Sequence, residues 1–363
     1  MTTLRASFTA CAPEYLERSP TLPTAHRQVS SAIQQCQSGY YGHRLSQCQS
    51  CGGHHRVHHA CGNRHCPQCQ QHTTPQWLQH PLDTQLPGPH FLLTFTVPET
   101  LRACMRSHQR LAYHALLQAS ATALKRLATD ERCIGTALPG FTGVLHTWGR
   151  QLQYHPPIHD IVPGGGLSAD RSAWLPSRAH FFVPVKALSP IYRALFKEDM
   201  RQAGLLEHID PQVWHIPWNV HSQAHPHGHS AFTSLAPSVF RVAISHSRIV
   251  SLTDRTVTFP SRQPGRARPR TTSLDAMEFL RRFLQHVLPD GCMKVRHFGL
   301  MHSSCATHID ALRLLISQQH PLDGQTPHGV APAPCVALGP TCGGQLRVVM
   351  RLWASNRACV DTS

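Results

Sequence analysis

Apolar positions along this chain repeat with two different periods. From Leu101 to Ala128, the residues Leu101, Met105, Leu111, Ala115, Leu116, Leu124 and Leu127 recur at steps of three and four. That spacing draws one apolar stripe down a helix, so a single long amphipathic helix is expected there, packed on a core. Ahead of it, His90 to Val97 (HFLLTFTV) is rich in aromatic and β-branched residues and predicts a strand. Further strands are expected at Phe141–Leu145, Ile158–Val162 and Ala179–Val185. Ser189 and Pro190 place the start of a helix that Gly204 ends. Arg241–Leu252 and Thr256–Phe259 read as a hairpin turning at Thr253-Asp254-Arg255, and Ser273 is expected to cap a helix that Pro289 closes. In that helix Arg281, Arg282 and His286 lie opposite Leu280, Phe283, Leu284 and Val287. Residues 1–35 offer only a short helix near His26–Gln35, and Gln70–Pro89 reads as a Pro-rich linker. The class that follows is α+β.

Between two of the expected strands sit His155, Pro156, Pro157, Ile158 and His159. Alternate residues of a strand share a face, so His155, position 157 and His159 are expected to project together. Imidazoles grouped this way suit a divalent metal. The Pro-Gly-Gly-Gly run after Val162 then turns the chain.

Composition narrows the picture. The chain has 363 residues, enough for two or three domains, and a formal net charge of +15 with 30 arginines among its 34 basic residues. Arginine's planar fork suits phosphate, and so basic a chain points to nucleic acid. Charge alone does not choose among DNA, RNA and mere solubility. There is no apolar run near the ~18 residues a membrane helix needs, and the first fifteen residues lack the pattern of a secretory signal. A soluble cytoplasmic protein is expected, in which fourteen cysteines read as metal ligands or thiols before disulfides.

Cysteine and histidine crowd between Cys36 and Cys69. Cys48-x2-Cys51 and Cys66-x2-Cys69 lie fourteen residues apart, close to the two-knuckle spacing of a four-cysteine zinc site. Two knuckles complete a tetrahedron that needs no solvent ligand. The expected structural Zn2+ is therefore held by Cys48, Cys51, Cys66 and Cys69, with Cys61 and His65 as alternative ligands.

Four blocks, CGNRHCPQCQ, HTWGRQLQYHP with IVPGGGL, VFRVAIS and EFLRRFLQHVLP, resemble the rolling-circle insertion-sequence transposases of the insertion-sequence-ninety-one family, in the family's order and over about residues 36 to 300. The resemblance implies an N-terminal zinc domain (1–85) that helps to recognise transposon-end DNA, with Arg56, Arg64, Arg241, Arg281 and Arg282 facing phosphates. It also implies a nuclease core (86–290) of the His-hydrophobic-His type, an antiparallel sheet with helices on its far face, and a C-terminal tail (291–363) with a remnant zinc ribbon. In such enzymes histidines hold Mg2+ or Mn2+, and tyrosine attacks single-stranded DNA to form a phosphotyrosine that preserves bond energy for rejoining. Single-stranded transposon ends are the implied partner and the bacterial nucleoid the implied location.

The departures fall on the positions that carry this chemistry. The metal histidines belong at 157 and 159, but residue 157 is Pro157. The two tyrosines, one helical turn apart, are replaced by Ser234 and Ser238. Serine has a shorter reach and a far less acidic hydroxyl. Near Cys335 and Cys342 the family's Cys-Pro-x-Cys-Gly-Gly begins with Gly339 instead of cysteine. Proline within a central strand would also remove a ladder hydrogen bond. Tyr154 is expected on the face away from His155, and Tyr113 on a distant helix. The expected function is a transposase whose copy has lost catalysis. A residually active strand-transfer enzyme using His155, His159 and a third ligand, and a zinc-dependent nucleic-acid-binding module, are the alternatives.

Overall fold

The first turn of apolar spacing, Leu4, Phe8, Cys11 and Ala12, is buried along one side of a helix. This helix, α1 (Leu4–Arg18), occupies the stretch expected to be a lead-in, and it tolerates Pro13 inside it. It is followed by α2 (Thr24–Gln35), and both pack on a helix from far along the chain, α7 (Ala276–Leu284). The rings of Phe8 and Phe283 meet edge to face at 5.2 Å. Asp275, not Ser273, caps α7: its carboxylate accepts from the Met277 N–H at 2.8 Å. Ser273 lies one element earlier, in a strand. The computed structural model describes residues 4–70, 84–149, 151–240, 243–245, 248–261, 270–320 and 337–354.

The central sheet is antiparallel throughout. Its strands are β3 (His90–Phe95), β4 (Leu138–Leu145), β5 (Ile158–Pro163), β8 (Val220–His225) and β12 (Val295–Gly299), in the order β12-β4-β5-β3-β8. β6 (Gly165–Leu167) continues the line of β5 against the start of β4, and β7 (Trp174–Pro176) pairs outside it. Alternation sorts the side chains. Phe91, Leu93, Phe95, Ile158 and Val162 face one core, covered by α4 (Gln109–Ala128) and α5 (Val185–Gln202). Val144 and Ile161 face the other way, against Ala231, Phe232 and Leu235 of α6 (Gly228–Phe240). Helices therefore cover both faces of the sheet.

Some elements differ from expectation for local reasons. The long helix is split: α3 (Arg102–Ser107) ends where His108 takes φ −125°, ψ 46°, and α4 begins after it. Ala179–Val185 forms no strand. Phe182 and Val183 are buried in the core without ladder partners, and α5 starts at Val185 with Pro190 inside it. Pro157 precedes β5, so no strand N–H is lost there; its carbonyl instead accepts from His146 N–H at 3.1 Å.

Two small sheets flank this core. β9 (Ser251–Thr253), β10 (Thr256–Ser261) and β11 (Arg270–Asp275) form one, turning at Asp254 and Arg255, both at positive φ as a two-residue hairpin turn requires. The other joins chain ends: β1 (Gly42–Cys48) pairs with β2 (His54–His58) and with β13 (Leu346–Trp353). Residues beyond 290 thus supply a strand to each of two sheets.

Candidate functional site

Cys36 ends α2, and Cys61, Cys66 and Cys69 come from the loop and helical turn after β2. Their four sulfurs lie within 4.8 Å of one another, with Cys36–Cys69 at 3.8 Å and Cys61–Cys69 at 3.5 Å. Zinc–thiolate bonds of about 2.3 Å make a tetrahedron whose edges are about 3.8 Å, so this cluster is already of the size for one zinc. Three of the four are buried, and they share a core with α1, α2 and α7. Packed so closely, the thiols titrate as a set: hydrogen bonds with Cys61, Cys66 and Cys69 lower the Cys36 pKa, and those with Cys36, Cys66 and Cys69 raise that of Cys61.

The sequence pairing of Cys48 and Cys51 with Cys66 and Cys69 is not what the fold brings together. Cys66 and Cys69 join Cys36 and Cys61, whereas Cys48 and Cys51 meet Cys342 at the other end of the chain. Cys61, the alternative, is in the cluster. His65 is not: it is half-buried and its ring accepts from the Leu288 N–H at 3.4 Å, and burial, then Arg64, lowers its pKa well below the usual value. Cys36 was the ligand that spacing missed, since it stands twenty-five residues before Cys61.

On the sheet, His159 faces the α6 side with Ile161. Its Nδ1 lies 3.1 Å from the Thr94 hydroxyl on β3, and Thr94 is also the cross-strand partner of His221. His155 sits in the loop before β5, with its N–H donated to the Thr147 carbonyl. Burial is the main cause that pushes His159 and His155 down to about 4, leaving both neutral at pH 7. A histidine not singled out from sequence, His146 at the end of β4, has its ring 5.8 Å from that of His159; burial, then His159, lowers its pKa. Its signal was its place two residues before Trp148, in a block matched for other reasons. Among the described residues, only the two cysteine groups bring three or more His, Cys, Asp or Glu ligand atoms within 4.8 Å. The face around His155 and His159 therefore does not fit a preformed Mg2+ or Mn2+ site.

Ser234 is exposed on α6, the helix that covers the His159 face. Ser238 lies on the same helix one turn on, its side chain outside the described residues. Tyr113 and Tyr154, the two tyrosines weighed from the sequence, do not lie on α6. Tyr154 donates to the Tyr113 hydroxyl at 3.1 Å within the core, and burial raises the pKa of both phenols.

The arginines divide by role. Arg64 donates to the carbonyls of Cys292 (2.8 Å), Pro289 (3.1 Å) and Leu288 (3.4 Å), so its fork holds the chain after α7. Arg281 and Arg282 both pair with Glu278, and Arg282 also donates to the Gln151 carbonyl. Arg56 on β2 is exposed, and Arg241 lies outside the described residues. The end of α7 grips the loop between β4 and β5: Gln285 and His286 both reach the Leu152 carbonyl, at 2.8 and 3.1 Å, while Leu152 holds a positive φ. Two of the sequence blocks are thus in direct contact.

Comparison with known proteins agrees with this arrangement. Residues 7–97 match the family model described as "Transposase zinc-binding domain", and residues 140–308 match that described as "Putative transposase". The chain is 34% identical over 309 residues to "Putative transposase y4qJ" of Sinorhizobium fredii, covering 79% of this chain and 77% of that one. It is 27% identical over 282 residues to the "Transposase for insertion sequence element IS801" of Pseudomonas savastanoi pv. phaseolicola, covering 69% and 65%. No solved structure matches it. No helix among the described residues is long and apolar enough to cross a membrane. A zinc-binding domain followed by a transposase domain, with a relative this similar over most of both chains, makes this protein a member of the IS91 family of transposases.

Proposed function

We propose that this transposase binds the DNA of its element's ends but does not cut it. The observation that carries the proposal is the state of one sheet face. His159 and α6 share that face, as a nuclease with a histidine metal site and a helix-borne tyrosine pair requires, yet position 157 is proline and α6 presents serine at 234 and 238. In the family's reaction, metal polarises a phosphate of single-stranded DNA and a tyrosine attacks it. Serine at the end of a short side chain has no base beside it in the sequence to activate it, and the buried Tyr113–Tyr154 pair is turned into the core.

Binding rests on different features. A net charge of +15, carried largely by arginine, supports salt-sensitive contact with phosphate. The four-cysteine centre would hold a structural zinc that fixes the loop bearing Arg64 against α7. Exposed Arg56 is the residue of this region best placed to meet DNA. The test has two arms. Purified protein is titrated with single- and double-stranded oligonucleotides from the element's ends at rising salt, and the same mixtures are run on a denaturing gel with Mn2+. Binding that weakens steeply with salt, and no band of protein joined to DNA, are expected. A covalent band from the unmodified chain overturns the loss of catalysis, and absence of binding at low salt overturns the retained recognition.

A further inference from the structure

The second cysteine group is built from the two ends of the chain. Cys342 Sγ lies 3.3 Å from both Cys48 Sγ and Cys51 Sγ, across a separation of 294 residues from Cys48. The two backbone turns that carry these thiols are alike hydrogen bond for hydrogen bond. In the first, Cys48 N–H donates to Gly53 O at 2.8 Å and Gly52 N–H to Cys48 O at 3.0 Å. In the second, Gly339 N–H donates to Gly344 O at 2.7 Å and Gly343 N–H to Gly339 O at 2.9 Å. Gly52 and Gly343, each following a cysteine, take φ of 71° and 69°. Residue 339 thus occupies in the second turn the place that Cys48 occupies in the first. A Cβ built on Gly339 would stand 3.6 Å from Cys48 Sγ, in ordinary contact with its neighbours.

The surroundings call for a cross-link. Among the described residues, the three-stranded sheet of β2, β1 and β13 contributes no strand residue to the hydrophobic cores, and Val349, Met350, Leu352 and Trp353 of β13 are all exposed. A small uncovered sheet is marginal alone, and a metal clip supplies what burial does not.

We propose that Cys48, Cys51 and Cys342 bind a second zinc, which clips β13 to β1, and that its fourth coordination position, beside Gly339, is open to water or to a small thiol or imidazole. Three thiolates and one exchangeable ligand set it apart from the buried four-thiolate centre. Binding releases the thiol protons to solvent and changes no oxidation state.

The experiment is metal analysis and cobalt substitution of the full-length chain. The unmodified protein is expected to carry two ions and Cys342→Ser one, the ion kept by that variant showing that the buried centre is still folded. Thiolate-to-cobalt absorption should correspond to seven thiolates, rising to eight in Gly339→Cys. Gly339→Cys should also hold its second ion at least about tenfold more tightly against a chelator, because a fourth fixed thiolate replaces an exchangeable ligand. Added imidazole should change the cobalt spectrum of the unmodified chain and leave that of Gly339→Cys unchanged. One ion per chain, unaltered by Cys342→Ser, overturns the site. Loss of the second ion in Cys335→Ser or His55→Ala overturns the open position, since a side chain would then be filling it. His55 is included because its Nε2 and the Cys51 sulfur lie 3.8 and 3.4 Å from the Cβ position of Gly53.

Discussion

The buried cysteine centre and the histidine-bearing sheet face differ in how far their side chains match what the family resemblance implies. At the first, four thiols converge within 4.8 Å and sit in a core that three helices complete. At the second, the strand and the covering helix pack together, and positions 157, 234 and 238 hold proline and serines. Substituting a thiol in the first would expose a core to collapse. Pro157, by contrast, stands just ahead of β5 and still gives its carbonyl to His146, and Ser234 stands on the exposed side of α6, so both changes leave the packing alone. Under the proposed reading, folding guards a structural metal site, whereas a catalytic face can change its side chains and keep its shape.

The largest effect that could break this comparison comes from the thiols themselves. Cys61→Ser with Cys66→Ser should remove the buried zinc and unfold α1, α2 and α7 together, lowering stability by more than about 5 kcal/mol. Cys48→Ser with Cys51→Ser should leave that zinc and the helical core in place. Metal content and thermal melts separate the two, and equal damage from both pairs would mean that all these cysteines form one site.

Next in size is a contrast in pH dependence. Asp160 on β5 is fully buried on the α4 and α5 side, and burial pushes its carboxyl up from 3.8 to about 8. The folded chain therefore holds this proton more tightly than the unfolded one. The stability it contributes is complete below about pH 4 and is lost as pH rises through about 8. Asp160→Asn should flatten that decline and raise stability at pH 8 by roughly 1–3 kcal/mol. The zinc centre responds the other way, weakening as acid protonates its thiolates. Denaturant melts from pH 5 to 9, with and without chelator, resolve the two slopes, and an Asp160→Asn chain with the unmodified pH profile would contradict the assignment.

The smallest effects concern two arginines. Arg64→Ala should cost about 1–3 kcal/mol of stability by stripping donors from three carbonyls. Arg56→Ala should leave melting unchanged and weaken DNA binding, with a shallower dependence on salt. Reversed roles would move the DNA contact onto Arg64.

Much of this was legible from the residues. The β-rich run His90–Val97 and the apolar run Ile158–Val162 marked two strands of the sheet, and the turn at Thr253-Asp254-Arg255 was visible as such. Leu4, Phe8, Cys11 and Ala12 carried helical spacing too, but Pro13 masked it. The ligand sets were not legible, because spacing shows which cysteines can form a turn and not which turns meet. Cys36 reaches its partners through the packing of α2, and Cys342 reaches Cys48 only through the pairing of β13 with β1. The structural cost of Pro157 is not legible in the sequence, because spacing alone does not show that the strand begins one residue later, at Ile158.

The central claim is that catalysis was lost through a few side chains while the fold that served it remains. Pro157→His, Ser234→Tyr and Ser238→Tyr together restore the metal ligand and both nucleophile positions without touching either cysteine group. The measurement is the yield of protein covalently joined to labelled single-stranded end DNA on a denaturing gel, with and without Mn2+, for the unmodified chain, each partial repair and the triple variant. Metal polarisation and tyrosine attack act in one step, so repair of either alone should yield little. The account predicts a metal-dependent adduct from the triple variant and none from the unmodified chain. An adduct from the unmodified chain, or none from a triple variant that melts and binds DNA normally, would contradict it.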